Sequence, residues 1–528
     1  MRRCLVAPLG FVRRYSQASS GQQPHTTPLE YFSLIVKGKK TDPAIVTEEL
    51  RKFVKTRTQS GHWKQAWIAG SGKSRSALVL LASKDMAKCL ESHEFMSTFL
   101  ETVAPAEESH RSATIDVLAG LTDGLQPNEL GARQQSGLSV LYGPESILPR
   151  IWEQNGDADG RDVDRAASIS VSAAYPDQPF NSHITIPMAN TIFQNGRRST
   201  LFATRYERSA SSGRFEATLM QDKAHQDIEV VTDGGPRFTP QLPLIPLTPP
   251  REIVAGLGNI VRQVLVDGRP QPASKELEDL IPRFLAQRQK SHAVGVWAVV
   301  VPPHVVKRDN AFASIQPYSE HYENFESEKK MVEMNWECLS RIGKHGLRIH
   351  KILSGGGGWG VKQGLLSLDP ETSYSAPEQE GIDDFIRAFE AQYEMKLDSN
   401  KALADQDQTT TTTSSSSSDI VSPGSYLIFC AQADVAGEDL DGVSTSESRG
   451  WNFGVAERHE DAWDRQVEEV VEEDAGPAVS AVPEAFTAMS AEGVYLNLGT
   501  PGEAKEHAAI STFPYTTKID VPHAIISH

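Results

Sequence analysis

The chain has 528 residues, 39% hydrophobic and 23% charged, enough for two or three domains with sizeable cores, so a single small module is excluded. Its formal net charge of -17 excludes a general nucleic-acid binder, which needs a basic face to displace phosphate counterions. The longest wholly apolar run, around Val294 to Val301, is far too short to cross a bilayer, and no transmembrane helix is expected.

From Met1 to Thr27 the chain carries four arginines (Arg2, Arg3, Arg13, Arg14), several Ser and Thr, and no acid before Glu30. That is the composition of a mitochondrial presequence. Leu5, Val6, Leu9, Phe11 and Val12 supply the apolar side of a short helix interrupted by Pro8 and Gly10. The stretch RRYSQASS resembles a matrix cleavage site, so residues 1–15 are expected to be removed and the mature matrix protein to start near Ser16. Residues 16–63 then read as a linker with an amphipathic helix. In DPAIVTEELRKFVKTRTQ, Ile45, Leu50 and Phe53 fall at helical spacing, with acids early and bases late to suit the helix dipole.

Residues 64–235 read as a first α/β domain. SALVLLAS is a buried strand, KDMAKCLESHEFMSTFLETV a helix with Met86, Leu90, Met96 and Leu100 inward, and ATIDVLAGLTDG a second strand ending in a glycine turn. SGLSVLYG adds another strand to this β-α-β order. Just upstream, WIAGSGKSRSALVLL ends like a phosphate loop in Gly72, Lys73 and Ser74. Trp67 replaces its first glycine, however, and strand follows where a helix must open, so it reads as a turn before a strand. From 165 to 232, alternating segments separated by Asn-Gly, Ser-Gly and Pro turns predict a mostly antiparallel sheet.

The proline-rich residues 236–250 mark a boundary, and 251–400 form a second α/β domain containing a Gly-rich loop. IVAGLGNIVRQVL holds Gly256 and Gly258, two glycines of a dinucleotide fingerprint, but Val261 replaces the third. Thr248 as cap, Pro249 or Pro250 in the first turn, early Glu252, and Ile253, Leu257, Ile260 and Val264 on one face favour a plain helix. AVGVWAVVV is a strand, 326–343 a helix with Met331, Met334, Cys338 and Ile342 on one face, and LRIHKIL the next strand. Two strands joined by a helical crossover are expected to lie parallel. Residues 401–424, with TTTTTSSSSS, are a low-complexity linker that cannot pack a core. Residues 425–528 complete the second domain with the strand SYLIFCAQ and an acidic, helix-prone segment, Glu457 to Asp474, suited to a basic protein partner. The fold class is thus α/β with α+β mixing: two mixed-sheet domains with a disordered Thr/Ser-rich insertion.

Chemistry concentrates in HKILSGGGGWGVKQGLLSLDPE, residues 350–371. LSGG followed by LLSLDP imitates a transport ATPase. Ser354 and Asp369 are too close for the required helix, Gly360 and Gly364 weaken one, and Pro370 stands where the catalytic acid belongs. What remains is Gly355, Gly356, Gly357, Gly358, Trp359 and Gly360 directly after a strand, flanked by Lys351 and Lys362. Ligands bind outside the carboxyl ends of strands in open α/β sheets; glycines let backbone N–H groups approach an anion, the tryptophan covers a flat group, and the lysines add charge. The competing reading is a bent connection with Trp359 in the core. Strand alternation turns His350 outward. Cys4, Cys89, Cys338 and Cys430 form no metal-spaced pair and read as reduced thiols, so no metal site is expected. GxSxG and HExxH are both absent, no cofactor follows from the sequence, and triads built from distant residues remain open.

In its order SALVLLAS, IDVLAGLTDG, SGLSVLYG, the part from 64 to 145 resembles the N-terminal part of FIST sensory domains, which implies binding of small ligands such as amino acids. The chain also resembles fungal mitochondrial proteins carrying HKILSGGGGWG, which implies an address and no activity. The expected function is a soluble matrix protein that binds a small, anionic ligand at the Gly-rich loop in a sensor or accessory role. An enzyme acting on a phosphate-bearing substrate and an assembly or translation accessory protein are the alternatives.

Overall fold

The computed structural model describes residues 29–37, 42–61, 75–104, 113–126, 134–153, 166–175, 178–190, 200–231, 238–288, 294–306, 314–318, 325–343, 346–355, 364–374, 420–435, 450–457, 478–498 and 516–528. The presequence, residues 401–419 of the Thr/Ser-rich linker and residues 458–474 of the acidic segment lie outside them.

Asp42 opens helix α1 (Pro43–Gln59) by accepting a hydrogen bond from the Ala44 amide, with Pro43 at the first position where its missing N–H costs nothing. Val46, Thr47, Leu50 and Val54 form its buried face and Phe53 packs beside it, 4.8 Å from Phe32 between ring centroids, so of the predicted stripe Leu50 and Phe53 turn inward while Ile45 is 47% exposed. SALVLLAS becomes strand β2 (Ser76–Ser83), apolar throughout because both sides are covered. It pairs in parallel with β3 (Thr114–Thr122) across α2 (Ala87–Glu91) and α3 (His93–Val103), and Met86, Leu90, Met96 and Leu100 are all buried as their spacing predicts.

These strands sit in a seven-stranded sheet ordered β20 (Val479–Pro483), β1 (Glu30–Val36), β4 (Ser136–Pro144), β2, β3, β7 (Leu201–Arg208), β8 (Phe215–Asp222). A five-stranded sheet runs β23 (Thr516–Ile519), β22 (Val494–Leu498), β6 (Gln178–Pro187), β5 (Ser168–Tyr175), β9 (His225–Val231). The single antiparallel sheet expected from 165–232 is therefore divided: β5, β6 and β9 lie in one sheet, with β5 and β9 parallel, and β7 and β8 extend another. A four-stranded sheet joins β10 (Thr239–Gln241), β24 (Ile525–Ser527), β19 (Gly450–Val455) and β21 (Ala485–Ser490).

The remaining strands close on themselves. β18 (Tyr426–Gln432) pairs on one side with β11 (Leu244–Pro246) and β12 (Arg251–Leu257), and on the other with β15 (Val296–Val301). β13 (Ile260–Val266), β17 (Leu366–Leu368) and β16 (Arg348–Gly355) complete the ring, and β14 (Arg269–Pro272) adds to β13. Two expectations fail here. The stretch read as a helix from Ile253 to Val264 is the β12–β13 hairpin, with Leu257 opposite Ile260 across a two-residue Gly258-Asn259 turn and Gly258 at φ +59°. Glycine-first two-residue loops match the twist of paired strands, and cross-strand burial outweighs the helical spacing. β15 and β16 are antiparallel, not parallel. The crossover rule governs only strands that re-enter from the opposite end, and the ring makes β16 return beside β15 in the hairpin sense.

One core, containing Val79 and Leu118, Ile169 and Ile184, Phe453 and Phe486, and Trp297 and Ile428, is shared by all four sheets. The outer face of the seven-stranded sheet is covered by α1–α3, and the other face of the ring by α4 (Ala273–Arg288) and a helix at 325–343. A short turn α5 (Pro303–Val306) precedes the latter, α6 (Phe325–Gly343). Its buried face is Met331, Val332, Asn335 and Leu339; Met334 is exposed, because the buried amide of Asn335 binds the backbone at Gln316 and Met331 and fixes the rotation. Cys89 and Cys430 are buried free thiols, both pushed up in pKa by burial, Cys89 to about 11. Among the described residues no helix is long and apolar enough to cross a membrane.

Candidate functional site

Strand β16 carries both Lys351 and Gly355. Gly355 pairs with Leu366 at the end of the strand, where an added Cβ would stand 2.8 Å from a Leu366 methyl. The chain returns at Gly364, whose φ of +81° and approach to Pro272 both favour glycine. Gly356, Gly357, Gly358, Trp359, Gly360 and Lys362 lie outside the described residues. The loop joins antiparallel neighbours, so the crevice at the carboxyl ends of an open parallel sheet, on which its expected role rested, is not the geometry found. Four residues of strand place Gly355 roughly 13 Å from Lys351, so the structure does not bring the two together.

Lys351 instead meets side chains that come from elsewhere in the sequence. It lies opposite Trp297 in β15, and its ammonium stands 5.9 Å from the centroid of the buried indole. The indole Nε1–H donates to Asp520 Oδ1 at 2.7 Å. Burial pushes the Asp520 carboxyl above the usual carboxylate range, against the Trp297 hydrogen bond and the positive charges of Lys518 and Lys351. Asp520 follows β23, which is anchored to β16 where Thr517 Oγ1 accepts from the Ile349 amide at 2.8 Å.

Lys518 follows Thr517 directly on that strand and so takes its opposite face, where it reaches Glu371 by a direct hydrogen bond and Asp369 at 3.5 Å. Burial works against its charge, but the Glu371 hydrogen bond and the three surrounding carboxylates outweigh burial and hold its pKa above the ordinary lysine value. Asp369 and Glu371 are fixed by a turn in which the Glu371 amide donates to Asp369 Oδ1 at 3.0 Å and the Asp369 amide to the Lys351 carbonyl at 2.8 Å. The two lysines therefore differ: Lys518 is neutralised by carboxylates, whereas Lys351 makes no ion pair among the described residues.

His350, expected to point outward, is 1% exposed. Alternation does not export it because both faces of β16 are covered, one by the shared core and the other by the ring's own core. Its Nδ1 lies 2.8 Å from the Asp369 carbonyl. A carbonyl only accepts, so Nδ1 carries the proton and the buried Nε2 is a bare lone pair without a hydrogen-bond partner among the described residues. Protonating it would bury a charge, and burial drives the pKa down to about 4. Between pH 6.5 and 4 the unfolded chain takes up a proton here that the folded chain refuses, so stability rises with pH across that window and falls on acidification. Urea unfolding should show about 2 kcal/mol more loss between pH 7 and pH 5 in the wild type than in His350→Gln. Equal losses would place the imidazole in water.

Comparison with protein-family models, curated proteins and solved structures gives no match. Of the residues predicted for the site, only Lys351 is seen in a charged environment. Trp297, Asp369, Glu371, Lys518 and Asp520 were missed, although TTKID already alternates Lys518 and Asp520 against Thr517 and Ile519, the mark of one charged strand face.

Proposed function

We propose that this chain is a small-ligand-binding protein of the mitochondrial matrix, with a sensor or accessory role, and that its ligand presents a carboxylate or phosphate to Lys351. One observation carries the reading: Lys351 is an ammonium held over a buried indole without an ion pair among the described residues, beside Lys518, whose charge is already met. A cation in that position has donors to spare for an anion. The pair Trp297–Asp520 sets its height and keeps a partly compensating charge near it, which favours exchange over permanent capture. The arginine-rich, acid-free start supplies the address in this reading.

A thermal-shift panel of small carboxylates and phosphate esters tests it. At least one class should raise the melting temperature of the wild type. Lys351→Ala should weaken that response roughly 10- to 100-fold in affinity, the worth of a hydrogen bond to a charged group, and Lys351→Arg should retain most of it. No response from any anion, or an equal response in Lys351→Ala, would overturn the assignment.

A further inference from the structure

The five-stranded sheet has two unlike faces. Ile169, Val171, Ile184, Ile228 and Val230 point into the shared core. The register places Ser168, Ser170 and Ser172 of β5 on the other face, with His183 and Thr185 of β6 on one side and His225 and Asp227 of β9 on the other. The row Lys518, Tyr495, Thr185, Ser170, Asp227 crosses all five strands, so this face continues from the lysine cluster over roughly 19 Å at the ordinary strand spacing.

At its far edge three side chains form a chain of hydrogen bonds. Ser168 Oγ lies 2.9 Å from His225 Nδ1, and His225 Nε2 lies 3.2 Å from Asp227 Oδ1. Asp227 is held below the usual carboxylate range chiefly by its hydrogen bond from His225, so it is an acceptor only. Nε2 must then carry the imidazole proton, which leaves the lone pair of Nδ1 facing the serine hydroxyl. A serine beside a histidine is an ordinary cross-strand contact; the carboxylate on the far nitrogen is what turns it into a nucleophile, a base and a positioning group in sequence. The neighbouring Ser172–His183 pair, 2.8 Å, has Thr185 rather than a carboxylate at the second nitrogen.

We propose that Ser168, His225 and Asp227 form a second, hydrolytic site that cleaves short-chain acyl esters. Ser168 Oγ attacks the acyl carbon while its proton passes to His225 Nδ1. The bond to the leaving oxygen then breaks, that proton goes to the departing alcohol, and an acyl-serine remains. Water gives a proton to the same nitrogen as it attacks, and Ser168 leaves with that proton, so ester and water become acid and alcohol. Asp227 holds the tautomer and faces the imidazolium formed in each half. Access sets the substrate size: Ser168 is 3% exposed while the His225 side chain is 39% exposed, so a small acyl group reaches the hydroxyl past the imidazole and a bulky one does not. Arg150, 3.7 Å from the other Asp227 oxygen and 67% exposed, adds a cation on the open side.

The test is labelling of the full chain with a small ethyl fluorophosphonate, followed by peptide mass spectrometry and by release of nitrophenol from p-nitrophenyl acetate. The wild type should carry one phosphonyl group on Ser168 and turn over the ester. Ser168→Ala should lose both. His225→Gln should label at least 100-fold more slowly, and Asp227→Asn at least tenfold more slowly, with the rate recovered in Asp227→Glu. Ser172→Ala should label as the wild type does. Melting temperatures of all variants separate lost chemistry from lost folding, and the mapped label on the wild type needs no variant. No label, or a label on another residue, overturns the proposal. It stands or falls independently of anion binding at Lys351, which the thermal-shift panel reads.

Discussion

Asp116→Ala should cost about 3–5 kcal/mol of unfolding free energy, because it strands a charge that the fold has already removed from water. Asp116 is the one charged residue of strand β3, buried and directly opposite Arg205 of β7. Arg205 donates to it twice, from Nε at 2.7 Å and Nη2 at 3.0 Å, and Trp152 Nε1 donates at 3.0 Å. The guanidinium in turn lies 4.7 Å from the Trp152 ring centroid. Its pKa is raised first of all by the hydrogen bond to Asp116. Without the carboxylate, the guanidinium and the indole N–H both lose the acceptor they share among the described residues. The double variant Asp116→Ala, Arg205→Leu should recover much of the loss, since an apolar pair avoids the burial of charge altogether. Urea unfolding of both variants checks this, and a loss below about 1 kcal/mol in the single variant would mean that the pair is solvated.

Trp297→Ala should be as costly, about 3–5 kcal/mol for a fully buried aromatic in the core shared by the four sheets. It also removes the Trp297 N–H donor from Asp520, a group whose burial already opposes ionisation. Trp297→Phe separates these effects by keeping most of the ring and losing the N–H, with an expected cost of about 1–3 kcal/mol at pH 7. Asp520 then rises further in pKa. A carboxyl whose folded pKa is raised binds a proton that the unfolded chain has released, so stability falls as pH rises and is regained on acidification. The deficit of Trp297→Phe against wild type should accordingly narrow from pH 7 to pH 5. A deficit that is flat with pH would remove the hydrogen bond from the account.

The parts of the fold that were legible in the sequence are those whose burial is two-sided or strictly periodic. SALVLLAS, ATIDVLAGLT and SYLIFCAQ are strands because continuous apolar residues fit nothing else of that length, and α2 and α3 bury the residues that a 3.6-residue period selects. The β12–β13 hairpin was misread because Ile253, Leu257, Ile260 and Val264 satisfy a helical period by coincidence; the Gly258-Asn259 dipeptide was the overriding signal. Closure of the ring and the return of β20, β22 and β23 to sheets begun near the N-terminus depend on pairings between distant segments, which no local pattern encodes. The same holds for the site. Lys351 is legible because it flanks the glycines, but Trp297, Lys518 and Asp520 meet it only through the sheets, and the burial of His350 is not legible because alternation says which side a residue takes and not whether that side is covered.

Native mass spectrometry of the intact chain purified from its own cells is the most direct test of the ligand at Lys351. The wild type should carry a small molecule whose released mass and fragmentation show a carboxylate or phosphate, and Lys351→Ala, at an unchanged melting temperature, should come through without it. An equally loaded Lys351→Ala, or a wild type that carries only a protein partner and no small anion, would contradict the account.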